Sequence, residues 1–303
     1  MPRPIRPPRP AARKPRFAPP PLACDTHAHI YGPFDRFPLL APPEERSYTP
    51  TDVCTLDHYL EMHRTLGLER AVIVTGNPNG RHNNAVTCDA IRRMGGRFKG
   101  LAYLDAGIEQ KELQRLAECG FTGYRIRRGR SRGSFETDAK HIANRVREFG
   151  WHVEVHIQSL DEAVELLPWL PTLGLPYVLD HVAHAEPGHE RGDPRFDNVL
   201  DALKHEERCW LNIYSFYLQS KIGGPDYADM LPIIGRLVEA RPDRLLWGSN
   251  WPHAIAIDEE TPDDGDLLDF LYAAVPDPVL RRMILVDNPA RLYGWQDESR
   301  DVR

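Results

Sequence analysis

The sequence predicts an α/β protein folded as a single (β/α)8 TIM barrel, regular or distorted. Eight short apolar runs recur along the 303 residues, and each is followed by a stretch with helical periodicity. Several of these runs end in polar side chains, which in such a barrel gather at the C-terminal mouth where its chemistry is done. A doubly wound open sheet is the alternative, but no GxGxxG and no P-loop follows any early run.

In chain order the strand-like runs are ACDTHAHI (23–30), RAVIVTG (70–76), FKGLAYL (98–104), GYRIR (123–127), HVEVHI (152–157), PYVLDHV (176–182), CWLNIYS (209–215) and RLLWGSN (244–250). They are rich in β-branched and aromatic residues and short enough for strands. Between them lie helical patterns at 55–67, 84–95, 109–120, 138–150, 161–174, 197–206 and 229–240, several closing on a glycine suited to a helix end. GDLLDFLYAAV and the stretch from Pro276 to Trp295 read as the last helices. The barrel therefore spans 23–296, preceded by an arm at 1–22 and followed by a tail at 297–303.

Composition narrows the function classes. A 41% hydrophobic and 27% charged chain is of globular type, and no apolar run is long enough to cross a bilayer. A net charge of -6 leaves no electrostatic footprint for nucleic acid. The first residues are rich in proline and arginine and lack the apolar centre of a secretory signal, so they read as a flexible arm. Five cysteines with no CxxC read as reduced thiols of a cytoplasmic protein. The partner expected is a small molecule, a carboxylate or a lactone.

The strand ends carry the candidate chemistry. Strand one ends in His27 and His29, strand four in Arg125 and Arg127, strand five in His156, strand six in Asp180 and His181, and strand eight in Ser249 and Asn250, followed by His253. Alternation places His27 and His29 on one face, with Thr26 and Ala28 opposite and Cys24 turned away as a packing residue. The planar guanidinium of Arg125 suits two parallel bonds to a carboxylate, and Arg127 shares its face. Arg128, Arg130 and Arg132 read as a solvated basic loop.

HxH on strand one, histidines closing strands five and six, and WGSNWPH on strand eight together resemble the amidohydrolase superfamily, over about residue 23 to Trp295. DTHAHIYGPFDRFPLL, YRIRR, LDHVA and LLWGSNWPH resemble, within it, the 2-pyrone-4,6-dicarboxylate lactonase group. The resemblance implies catalytic roles for His27, His29, His181 and residue 250, with Arg125 on the substrate carboxylate. It also implies a metal-free site in which histidines polarise the ester carbonyl.

Three positions depart from that pattern. Asn250 stands where relatives carry an aspartate, and a carboxamide cannot accept the proton of an attacking water. Another histidine, His181 or His156, then takes the proton, or the reaction moves an acyl group within one molecule. His156 replaces the usual tyrosine and, with His27 and His29, could complete a three-imidazole zinc site. On strand seven the second carboxylate-gripping arginine is missing, and Tyr214, Tyr217 and Gln219 are nearest.

The expectation is thus a hydrolase of a small carboxylated lactone, with no cofactor. His27, His29, His181 and Asn250 are its catalytic residues; Arg125, Arg127, His156, Tyr217 and His253 bind the substrate. The alternatives are a lactone isomerase, a decarboxylase with zinc or another divalent metal, and a silent binding relative.

Overall fold

A computed structural model describes residues 4–9, 12–128, 134–254 and 261–295. Arg130 and Arg132 of the basic loop, and the tail at 297–303, lie outside the described residues. Eight parallel strands form one sheet in sequence order: β1 (Cys24–Ala28), β2 (Arg70–Val74), β3 (Phe98–Tyr103), β4 (Phe121–Arg127), β5 (His152–His156), β6 (Tyr177–Leu179), β7 (Cys209–Ile213) and β8 (Leu245–Trp247). The backbone just past β8 closes the ring onto β1, with Asn250 N–H on the His27 carbonyl at 2.8 Å and His29 N–H on that of Trp251 at 2.7 Å. This is the predicted (β/α)8 barrel.

Helices fill the intervals: α1 (Leu56–Leu66), α2 (Ala85–Met94), α3 (Gln110–Cys119), α4 (Phe135–Val146), α5 (Leu160–Leu166), α6 (Pro194–His205), α7 (Leu231–Ala240) and α8 (Asp264–Ala274), then α9 (Pro278–Arg282) and α10 (Asn288–Tyr293). Two boundaries differ from the sequence pattern. Ser134 caps α4 three residues early, its hydroxyl accepting from Thr137 N–H. The helix expected over 161–174 stops at Leu166, because Pro168 and Pro171 lack the amide it needs; a 3-10 turn at Leu170–Leu173 finishes the interval.

The barrel floor is apolar. Cys24, Val72, Val74, Leu101, Val178, Trp210 and Leu246 pack into one buried cluster inside the ring, and the larger cluster lies between the strands and the helices. Cys24 and Thr26 are therefore not on the outer face, as simple alternation predicts: Thr26 Oγ1 accepts from Asn212 Nδ2 of β7 at 2.9 Å. A β-bulge explains this. Asp25 pairs with Ala71 and Ala28 with Ile73, so β1 spends one more residue than β2 over the same span. Thr26 and His27 consequently both face inward. Gly248 makes room, since a Cβ there would lie 2.9 Å from the Cβ and backbone nitrogen of His27.

The described part of the N-terminal segment runs along the barrel. Pro4 bridges Thr49, Ile5 is buried, and Arg13 reaches Asp266 and Asp269 of α8 while its backbone N–H meets Asp263 at 2.9 Å. Cys88 of α2 and Cys119 of α3 are joined in a disulfide, which corrects the expectation of five reduced thiols; Cys24, Cys54 and Cys209 are free and buried. No described helix is long and apolar enough to cross a membrane.

Candidate active site

The C-terminal ends of the strands surround a cavity of about 360 Å³. Of the residues expected there, His29, Arg125, Arg127, His156, His181 and Asn250 line it. His27 lies beneath its floor, fully buried. Tyr217 and His253, expected to touch substrate, stand instead behind Asn250: its Nδ2 donates to Ser215 Oγ at 2.7 Å and to Tyr217 Oη at 3.1 Å. From Tyr217 the contacts continue to His253 Nδ1 at 3.0 Å, and from His253 Nε2 to Asp264 at 3.2 Å. Both hydrogens of the Asn250 amide are thus engaged, leaving its carbonyl oxygen as an acceptor.

On the opposite side, charge is concentrated and locked. Arg125 Nε lies 3.0 Å from Glu154 Oε1, and its Nη2 lies 2.5 Å from Asp180 Oδ2. Both carboxylates are fully buried. Burial alone would raise the Asp180 carboxyl, but His181, His156 and Arg125 hold it well below the usual range; the guanidinium, which never loses its charge, is the lasting cause. The guanidinium is thus held to two internal carboxylates, by a hydrogen bond to Asp180 and a close ionic contact with Glu154. Arg125 nonetheless lines the cavity, where it was expected to hold a carboxylate. Arg127 also lines the cavity, with Gln158 Oε1 at 3.0 Å and Ser47 Oγ at 3.4 Å from its guanidinium.

Glu154 is the residue that sequence reasoning missed. It lies mid-strand in HVEVH, where an acid between valines gives no hint of facing the inside of a barrel. Its carboxylate is 3.1 Å from His27 Nδ1, and His27 Nε2 is in turn 3.2 Å from His29 Nε2, while His29 Nδ1 lies 2.7 Å from the Val74 carbonyl. The Val74 oxygen can only accept, so His29 carries its hydrogen on Nδ1 and a lone pair on Nε2. For the contact between the two Nε2 atoms to be attractive, His27 must then hold a hydrogen on Nε2. That leaves one proton for the Glu154–His27 contact, on either partner. When it leaves, two lone pairs face one another. Burial, opposed by Arg125, raises the Glu154 carboxyl to about 7, and burial holds the His27 and His29 imidazoles well below their ordinary range. Tyr214 stacks on His27 with ring centroids 4.1 Å apart.

The turn after β6 is unusual. His181, Val182, Ala183 and His184 have φ of 51°, 54°, 51° and 55°, four consecutive left-handed residues without a glycine, each costing on the order of 1 kcal/mol. Hydrogen bonds from Ala183 N–H to the Asp180 carbonyl and from Ala185 N–H to that of Val182 hold the turn, and Val182 and Ala183 are buried. It aims both His181 and His184 into the cavity. His181 Nδ1 has no hydrogen-bond partner among the described residues.

The metal candidates His27, His29 and His156 are not brought within reach of one ion. The single group of three ligand-bearing side chains gathered among the described residues is His156, Asp180 and His181, and Arg125 Nη2 already lies among their atoms. The side chains present do not fit a metal ion at either place.

A closed eight-stranded barrel with HxH at the end of β1 and histidines at the ends of β5 and β6 matches the family model described as amidohydrolase over residues 24–295. The chain belongs to the amidohydrolase family. Within the family it is 33% identical to 2-pyrone-4,6-dicarboxylate hydrolase of Comamonas testosteroni, with 94% of each chain covered. It is 36% identical to 4-sulfomuconolactone hydrolase of Rhizobium radiobacter, over 92% of each. To D-galactarolactone isomerase of Agrobacterium fabrum it is 27% identical, over 89% of this chain and 90% of the relative.

Proposed function

We propose that the protein is a lactonase-like hydrolase that opens a small carboxylated lactone by attack at the ring carbonyl. The observation that carries this is the Glu154–His27–His29 chain under the cavity floor. Once its proton has left, the neutral imidazoles present a lone pair that can accept a proton from the nucleophile, and the Glu154 carboxylate balances the charge that results. This supplies the function that Asn250 cannot. His29, on the cavity wall, exchanges the proton with the nucleophile, and the Asn250 carbonyl oxygen orients the nucleophile by accepting its second hydrogen bond. His181, on the cavity wall, donates to the developing oxyanion, a contribution of a few kcal/mol in a water-poor cavity. Arg127 anchors the substrate carboxylate.

Asn250 favours one second reading. Without a carboxylate opposite the chain, the nucleophile can be a hydroxyl of the substrate itself, so that the acyl group moves between oxygens and the product is an isomeric lactone. Kinship to named lactone hydrolases and to a lactone isomerase supports both readings. A panel of aldaric, aldonic and muconic lactones, followed by NMR in ¹⁸O water, separates them: ring-opened acid carrying ¹⁸O marks the hydrolase, unlabelled isomeric lactone the isomerase. Turnover of any panel member that survives unchanged in His29→Ala would remove the proposed site.

A further inference from the structure

The cluster of His156, Asp180 and His181 has the spacing of a metal site. His156 Nδ1 is 3.0 Å and His181 Nε2 is 3.4 Å from the same Asp180 oxygen, and the three ligand atoms lie within 4.8 Å of one another. A zinc-like ion with bonds of about 2.0–2.1 Å spaces its tetrahedral ligands about 3.3 Å apart. In this protein the place is taken. Arg125 Nη2 lies 2.5 Å from that Asp180 oxygen, 2.9 Å from that His156 nitrogen and 3.4 Å from that His181 nitrogen. All three contacts converge on a single nitrogen, as ligands converge on an ion.

We infer that the Arg125 guanidinium is a built-in cation occupying a latent divalent-metal site formed by His156, Asp180 and His181, and that removing it converts the cluster into a working metal site. The charges agree with this. Asp180 and Glu154 are fully buried and both face Arg125. Without it, the two buried carboxylates would keep imidazoles and, on Asp180, the Ile157 N–H at 2.9 Å, but no cation, an arrangement that a divalent ion relieves. A guanidinium cannot be deprotonated, so the plug holds at every pH at which the protein is folded. Shortening residue 125 also opens the volume an ion and its water need.

The test is titration of the chelator-treated full chain with Co²⁺, read by visible absorption, which reports tetrahedral nitrogen and oxygen ligation, and by calorimetry. Arg125→Ala is expected to bind one equivalent at least 100-fold more tightly than the wild type, and the added mutation His181→Ala to abolish that gain. Arg125→Gln, which keeps more bulk, is the second variant and should show a smaller gain that also requires His181. Binding by neither variant above the wild-type level would overturn the inference, as would a gain that survives removal of His181. The wild type supplies an arm independent of any variant at 125: a tight equivalent of Co²⁺ lost on Asp180→Asn would show that the guanidinium does not close the site.

Discussion

The two sides of the barrel mouth solve the problem of buried polarity in opposite ways. Around β4, β5 and β6, Arg125, Glu154, Asp180 and the imidazoles of His156 and His181 form a charged lattice with contacts down to 2.5 Å. Around β7 and β8, Ser215, Tyr217, Asn250 and His253 are joined through hydroxyls and an amide at 2.7–3.1 Å. A charged lattice fixes geometry but resists change, because each ion depends on its partner. A hydroxyl and amide network is less costly to alter, and its carboxylate, Asp264, stands behind His253 and does not line the cavity. In the proposed reaction, positioning falls to one side and the choice of nucleophile to the other.

Breaking the charged side should have the largest effect. Asp180→Asn removes one of two counter-ions from Arg125, and chemical denaturation should show a loss of about 3–5 kcal/mol, typical of a buried pair deprived of one member. An equal loss from Asn250→Ala would erase the contrast between the two sides.

Glu154→Gln tests the junction between them. The amide cannot store the mobile proton, so turnover should fall about 10²- to 10⁴-fold. The wild-type rate should rise with pH through about 7, as the chain loses its proton and becomes a base, and the variant should lack that limb. The stability sign runs the other way. With its folded-state pKa raised above the ordinary 4.5, Glu154 stabilises the fold fully below about 4.5 and loses that contribution as pH rises to about 7. Asp25, raised by burial to about 6, has the same sign, so the variant should flatten the decline in part. The groups facing Glu154 are His27, Arg125, Asp180, His152 and His156. A pH–rate profile and urea melts at several pH values measure both effects.

Asn250→Asp sharpens the comparison by placing a charge on the neutral side, beside two hydroxyls able to donate to it. Hydrolysis should gain about tenfold over isomerisation, read from the product ratio, since water would then find a second base. A loss of both activities in equal measure would assign Asn250 a packing role only. Tyr217→Phe should have the smallest effect. It removes one hydrogen bond to Asn250 and one to His253, worth about 1 kcal/mol each, and kcat should drop several-fold with KM unchanged, because Tyr217 does not line the cavity.

Much of this was legible in the amino-acid order. Strand runs and their helical intervals follow from periodicity, so the ring and the placing of His29, Arg125, His156, His181 and Asn250 at its mouth could be read directly. Glu154 could not, because a valine-flanked acid looks alike on either face of a strand until the partner strands are known. The commitment of Arg125 to internal carboxylates was hidden for the same reason: spacing tells which face a guanidinium takes, not which anions share it. Alternation failed at Thr26, where the bulge adds a residue, and the pairing of Cys88 with Cys119 depends on how two helices pack side by side. The left-handed turn at 181–184 leaves no mark in composition, since Val182 and Ala183 are ordinary helix and strand formers.

The extra residue in β1 sets the phase in which the first strand is read. Deleting Thr26 would restore strict pleating, with Asp25 out, His27 in, Ala28 out and His29 in, so the histidine pair would keep its place in the hollow while the hydrogen bond from Asn212 would be lost.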